Sequence, residues 1–300
     1  MWQAMKSLTD APPAAPASGA SVRAWHQEFD LVLEPTRGLA GINVRDLWPF
    51  RELLYFLTLR DIKVRYKQTA LGVGWAVLQP VLAMILFTVV FGHVAKISTG
   101  GIPYPIFAYS ALVPWFFFAN SVQLSSTSLI VNPQLITKVY FPRIFLVMSP
   151  ILASLVDFLL AFLVLIGMMA YYSVTPDAVG TVLLLPLLAL AFVTTVGVCA
   201  WLSALNVKYR DVRFVVPFLV QVWLFATPVV YSIQSLGEPW KSLYGLNPMA
   251  SVVEGFRWAL AGGPAPNGTT VGLSVASGAV LFALGLYYFH RTEKSFADVI

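Results

Sequence analysis

Charge is what this sequence lacks over most of its length. From Leu71 to His290, long apolar runs follow one another, separated only by short charged or Gly/Pro-rich gaps. Six of them are long enough to cross a bilayer: 71–95, 106–131, 144–172, 181–207, 214–233 and 271–290. A helix needs about 20 mostly apolar residues to cross ~30 Å of hydrocarbon. With 58% hydrophobic residues, 11% charged residues and a mean hydropathy of +0.76, the chain reads as an all-α integral membrane protein with six transmembrane helices.

Lys and Arg set the expected orientation. Of the 19, 16 fall before the first run, in the second-to-third and fourth-to-fifth gaps, or after the last run. Only Lys96, Lys241 and Arg257 fall on the other side. Positive residues stay on the cytoplasmic side, so both termini are expected in the cytoplasm. The net charge of +5 is therefore juxtamembrane and suits anionic headgroups rather than nucleic acid. The lone Cys199 excludes a disulfide within the chain. Residues 1–30 carry no apolar core of the kind that marks a cleavable signal peptide, and 9–21 are Ala/Pro/Ser-rich, a disordered composition. A short mixed strand or turn is expected near 25–35.

The organisation read from this is a cytoplasmic tail (1–46), an amphipathic interface helix (47–70), a membrane domain (71–290) and a second cytoplasmic tail (291–300). In the interface helix, Phe50, Leu53, Leu54 and Leu57 fall at i, i+3, i+4, i+7, and Pro49 suits a first helical position. Arg51, Glu52, Arg60 and Asp61 fall mainly on the other face. A helix lying in the membrane interface fits this pattern, and so does a soluble helix packed on a cytoplasmic domain. So little cytoplasmic sequence is available that the interfacial reading is preferred.

Between the second and third runs, Asn132 and Pro133 form a helix start, with Asn132 as cap, and Pro142 forbids continuation. The enclosed residues, Gln134 to Phe141, make about two turns. A short amphipathic helix there could dock into a partner, or it could be a plain connection presenting Lys138 and Arg143 to headgroups. On the other side, the gap 234–270 is too apolar for a solvated loop. One short helix is expected from Glu238-Pro239 to Tyr244. A second is expected from Asn247-Pro248 through Glu254 and Arg257 to Ala261, stopping at Gly262-Gly263. Both are too short to span, so they should dip in and return as two re-entrant outer gate helices, which requires protein or a water-filled cavity around them. Glu254 and Arg257 are three apart and share a helix face.

The chain has no GxxxxGK[ST] phosphate loop, so nucleotide hydrolysis by this chain is not expected. His26, His93 and His290 lie far apart in topology, so no metal site is expected. Asp157 is the only carboxylate inside a run. Such a group is a functional suspect by default, but with no second carboxylate in any run a structural partnership with Ser, Tyr or Trp of another helix is preferred. The amides Gln79, Asn120, Gln123 and Gln221 avoid lipid, and Trp75, Trp115, Phe118, Trp223 and Phe225 supply aromatic faces that stack on sugar rings. Of these, Trp75, Gln79, Trp115, Phe118, Gln123, Gln221, Trp223 and Phe225 are the candidate channel residues, although helix packing explains any single one.

Four segments, RDIKVRYKQTALGVGWAVLQP (60–80), LITKVYFPR (135–143), LNVKYRDVRFVVPFL (205–219) and LNPMASVVEGFRWAL (246–260), resemble in order and spacing the ABC-2 permeases that export polysaccharides. The Wzm type of O-antigen permease is the nearest kind, with the teichoic-acid permease TagG a relative. The resemblance covers about 47–300. It implies a homodimer in the bacterial inner membrane, served by two separate Wzt-like ABC ATPase subunits that bind ATP and Mg. The implied cargo is undecaprenyl-diphosphate-linked polysaccharide. It also implies that the interface helix (Arg60, Lys63, Arg65) and the coupling helix (Asn132, Pro133, Leu135, Lys138, Tyr140, Arg143) meet those ATPases. Pro239, Tyr244, Asn247, Glu254 and Arg257 fall on the family's gate helices. The alternatives are an ABC-2 exporter of another lipid or drug, and an intramembrane enzyme acting on polyprenyl-linked sugars.

Overall fold

The structure is a computed structural model that describes residues 47–67, 72–176, 178–233, 237 and 240–296. The Ala/Pro/Ser-rich segment, the segment near 25–35 and Pro239 lie outside the described residues. A tight turn at Trp48–Phe50 leads into α1 (Arg51–Lys67). Then α2 (Gly74–Phe87) continues as a π-helical segment, Thr88–Val94. Next come α3 (Tyr104–Thr127), α4 (Pro133–Lys138), α5 (Ile144–Tyr171), α6 (Ala178–Lys208) and α7 (Val212–Ala226). The chain closes with α8 (Trp240–Tyr244), α9 (Pro248–Ala261) and α10 (Gly268–Glu293). No strand occurs among the described residues.

Five helices are long and apolar enough to cross a membrane: Gly74–Val94, Tyr104–Thr127, Ile144–Tyr171, Ala178–Lys208 and Gly268–Glu293. The expected fifth crossing differs. Its helix, α7, has 15 residues and stops at Ala226, short of the expected 233. The reason is local: Thr227 precedes Pro228, and a residue before proline is driven from the helical region. Thr227 is extended, with φ −104° and ψ 139°.

The most polar of the long helices lies inside. Of the five long helices, α3 is the least apolar and the most buried. It carries Ser110, Ser121, Ser125 and Ser126, all buried. Hydroxyls avoid lipid tails and find partners in protein; Ser125 Oγ donates to the carbonyl of Val147 on α5 at 3.0 Å. Around α3 pack α5, α6, α9, α2 and α7, while α10 lies along α6. The α6–α10 crossing depends on two glycines. A Cβ at Gly197 would stand 2.5 Å from the Cα of Phe282, and one at Gly285 would overlap the Gly197 carbonyl.

The stripe Phe50, Leu53, Leu54 and Leu57 on α1 packs against the core, as its spacing predicts, and α1 runs along α5. Tyr55 and Phe56 on its other side are exposed. The expected exposed face is only partly so: Asp61 turns inward and accepts a hydrogen bond from Ser149 Oγ on α5.

Candidate functional site

Side-chain contacts gather the basic segments at one end of the bundle. Arg60 Nη1 donates to Asn132 Oδ1 at 3.0 Å, joining α1 to the start of α4. The Arg143 backbone N–H donates to Glu293 Oε1 at 3.3 Å, and its guanidinium donates to the Glu293 carbonyl, joining the start of α5 to the end of α10. The helix between the prolines is six residues, Pro133–Lys138, shorter than expected because Val139 is already extended. Asn132 occupies the cap position without capping. Its Nδ2 donates backward to the Ser128 carbonyl at 2.7 Å, and its oxygen is engaged by Arg60. Ile136 and Phe141 are buried anchors, and Leu135 is half-buried against the core. Pro133, Lys138, Val139 and Tyr140 project outward, with Tyr140 72% exposed. Lys63 is exposed on α1.

Arg65 departs from its expected place on the docking face. It turns inward from the last turn of α1 to ion-pair with Asp157 on α5, and the Tyr66 hydroxyl donates to the same carboxylate. Asp157 thus has a tyrosine partner, as the sequence reading allows, and also a cation that reading does not anticipate. The three open onto a cleft of about 450 Å³ between α1, α2, α3, α5 and α7. Three expected channel residues, Trp75, Gln79 and Gln123, line it, together with Asn120 and Arg213. The Arg213 guanidinium stacks 4.6 Å from the Phe214 ring centroid. Aromatic faces, amides and guanidinium groups together suit a ligand with sugar or phosphate chemistry.

Two other channel candidates lie in the core of the chain. Trp115 and Phe118 are 2% and 0% exposed. Phe118 packs against Trp115 at 5.5 Å and edge-on to Trp223 at 4.9 Å between ring centroids, so these rings fill the core and do not line this cleft. Trp223 is only half-buried, but its indole N–H is committed to Asn247 Oδ1 at 3.0 Å. Gln221 and Phe225 lie on the exposed face of α7.

At the opposite end, α9 has the bounds its sequence predicts, and every residue except Trp258 is buried. Asn247 Oδ1 caps it by accepting from Met249 N at 3.1 Å, and Gly262 ends it in the left-handed region at φ 72°. Asn247 Nδ2 also donates to Thr227 Oγ1 at 2.9 Å. The turn before α9 reaches deep: the Pro248 ring lies 3.6 Å from where a Gly278 Cβ would stand, ten residues into α10. That is about 15 Å along the helix. Ser274 Oγ on α10 donates to the Gly245 carbonyl at 3.0 Å, and the Tyr231 and Tyr244 hydroxyls meet at 2.7 Å.

Glu254 and Arg257 are 8% and 3% exposed. Their closest charged atoms are 3.6 Å apart, but their shorter bonds go to backbone. Arg257 Nη2 donates to the carbonyls of Pro228 at 2.9 Å and Val229 at 3.0 Å. Longer contacts of 3.4 Å reach the carbonyls of Tyr231 and Phe107. Glu254 Oε1 accepts from the Ile233 N–H at 3.0 Å. The guanidinium also lies 3.6 Å from the Phe107 ring centroid. The pair therefore clamps the segment 228–233, which the sequence reading took for the end of a helix.

Sequence reasoning missed Tyr66 and Arg213 in the cleft, and the backbone partners of the clamp. Arg213 stands directly before an apolar run and Pro228 lies inside one, so both signals were present. Neither reveals what it faces.

The sequence pattern of the family described as ABC-2 type transporter matches residues 52–261. The chain is 31% identical over 260 residues to the O-antigen export system permease protein RfbA of Myxococcus xanthus, covering 86% of this chain and 98% of the relative. It is 30% identical over 250 residues to the RfbA of Klebsiella pneumoniae, covering 83% and 95%. The polysialic acid transport protein KpsM of Escherichia coli is more distant, at 22% over 243 residues, 80% of this chain and 93% of the relative. The matched region contains the cleft helices, the connection through α4 and the clamp, and the chain is a member of the ABC-2 type transporter family.

Proposed function

We propose that this chain is the transmembrane subunit of an ATP-driven exporter of lipid-linked polysaccharide, working as a homodimer with two separate ATPase subunits in a bacterial inner membrane. The relatives named for O-antigen export support the cargo class. The observation that carries the reading is the cleft. It combines two arginines, Arg65 and Arg213, with Trp75 and the amides Gln79, Asn120 and Gln123. A diphosphate end would use the guanidinium groups, which grip phosphate through paired donors. A sugar would use the indole face and amides.

The basic end faces the cytoplasm in this reading, and both termini lie there. The exposed residues of α4 and α1 meet the ATPases, which bind ATP and Mg. This chain hydrolyses no nucleotide itself. The short α7 together with 227–233 makes the fifth of the six crossings needed to bring the C-terminus back to the cytoplasm. Non-helical backbone at membrane depth must be satisfied by protein, and the Arg257 and Glu254 bonds to 228–233 support that role. The helices α8 and α9 enter and return from the outer side.

The test is ATP-driven transfer of a diphosphate-linked glycan in vesicles holding this chain and its ATPase. Replacing Arg65 and Arg213 together with Gln should lower transfer at least tenfold and leave insertion intact. Preferential transport of a neutral lipid or drug by the unaltered complex would favour the other ABC-2 reading. Transfer with the ATPase omitted would overturn the ATP-driven one.

A further inference from the structure

The cleft contains an anion of its own. Asp157 is the only carboxylate in the six apolar runs, and it is held by Arg65 and Tyr66, the last-turn side chains of α1. Arg213 of α7 lines the same cleft, and among the described residues it forms no ion pair. The cleft thus carries two guanidinium groups and one carboxylate. A phosphate-class ligand that enters can engage Arg213 directly, but it meets Arg65 already engaged.

We infer that Asp157 is a displaceable counter-ion, and that a diphosphate headgroup binds by taking Arg65 and Tyr66 away from it. This rests on the reading of the cleft as the headgroup site. Three features support it. An arginine facing a partly apolar cleft with no partner would be an uncompensated charge, and Asp157 supplies the compensation. A transport site must bind strongly enough to admit its ligand and weakly enough to release it, and an internal competitor lowers affinity without removing the recognition groups. The contact also joins two elements. Asp61–Ser149 is a second tie between α1 and α5, and Arg60–Asn132 ties α1 to the start of α4. Displacing Asp157 undoes the tie nearest the cleft and leaves the others in place, so headgroup arrival changes how α1 is held.

The experiment is equilibrium binding of tritiated farnesyl diphosphate to the permease–ATPase complex in lipid nanodiscs, with farnesol as the neutral control. Asp157→Asn removes the competing charge and should tighten binding about tenfold, the worth of one freed charge-assisted hydrogen bond. Asp157→Glu keeps the charge and should not show the gain. Arg65→Gln combined with Asp157→Asn should lose most of the gain, because the neutral Tyr66 hydroxyl is then the one donor freed from Asp157. Where the Asn variant does not assemble, Asp157→Gln against Asp157→Glu makes the same comparison at matched length.

Unaltered complex that binds farnesyl diphosphate while neither neutral variant binds it more tightly overturns the counter-ion role and leaves the cleft assignment standing. Equal tightening by Asn and Glu assigns the effect to shape and also overturns it. Binding of farnesyl diphosphate no better than farnesol by every form removes both the site and the counter-ion. A competition arm with inorganic pyrophosphate separates the two sources of the anion. Displacement only at much higher concentration than unlabelled farnesyl diphosphate identifies a lipid headgroup, and equal displacement overturns that assignment.

Discussion

Arg257→Ala is the substitution whose cost the structure defines most closely. The guanidinium holds two carbonyls at 2.9 and 3.0 Å, those of Pro228 and Val229, in a site where only 3% of the residue is exposed. Each buried acceptor left without a partner costs roughly 1–3 kcal/mol. The Phe107 ring at 3.6 Å adds a desolvated cation–π contact worth up to about 2 kcal/mol. Glu254 is then left as a buried charge without its cation, and breaking such a pair costs about 3–5 kcal/mol. These effects overlap, so about 3–5 kcal/mol is the expected total.

The geometry also orders the variants. Glu254 lies 3.6 Å from Arg257, farther than either short backbone bond. Its removal costs the Ile233 N–H its acceptor and should be milder than loss of Arg257. The two side chains clamp one segment, so the double variant should cost about 0.5–3 kcal/mol less than the sum of the singles. Arg257→Lys keeps the charge but has no further nitrogens to reach the Phe107 and Tyr231 carbonyls that Arg257 Nε and Nη1 contact, and should recover only part of the loss. The assay is thermal unfolding of the purified permease, paired with export by the reconstituted complex. Additive single effects, or Arg257→Ala unfolding within a degree of the unaltered protein, would refute the clamp.

Tyr140→Asp should abolish co-purification with the ATPase or uncouple hydrolysis from export while the permease still inserts. Because Leu135 is half-buried, its Asp variant should also lower stability, making Tyr140 the cleaner probe. In a Cys199→Ala background, cysteine at the exposed position 265 should react with an impermeant thiol reagent from outside and cysteine at 138 only from inside. The same side for both would break the topology. Gly197→Val should destabilise by at least the ~1–3 kcal/mol typical of overpacking, since its Cβ meets the α10 backbone. A change at Gly167, where a Cβ meets nothing within 4 Å, is the control, and equal unfolding temperatures would refute the close crossing.

Where local chemistry sets an element, the sequence reading and the structure agree. The bounds of α9 follow from an Asn side chain that accepts the Met249 N–H and a glycine free to adopt φ 72°. The stripe on α1 follows from spacing alone. Where a partner across the bundle decides, the reading stops short. Asp157 finds Arg65 at a separation of 92 residues, and no local pattern encodes that distance. Trp115 and Phe118 show the same limit: aromatic content says that a ring will be buried or stacked, not on what. The helix of the fifth run ends early for another reason. Hydropathy counts apolar side chains, while Pro228 changes the backbone, and the carbonyls released there are satisfied by Arg257 some 30 residues later in the chain.

The few charges in and beside the apolar region therefore do a common job. Arg257 and Glu254 satisfy backbone that left its helix, Asp157 ties α5 to α1, and Arg143 and Glu293 tie α5 to α10. Hydrocarbon supplies no driving force between helices whose surfaces match it, so apolar burial alone leaves helix positions weakly specified. A polar side chain that finds a partner across the bundle favours one arrangement, because losing that partner leaves a buried group unpaired. That suits the position of α3, the least apolar long helix, at the centre. The same logic separates the two kinds of polar site. Clamp groups are closed over by protein on all sides, with Arg257 3% exposed. The Arg65 side chain is 24% exposed and opens onto a cleft, as the proposed exchange of its bonds requires. Fixed positions and exchangeable contacts are thus made from the same residue types, and access to the cleft distinguishes them.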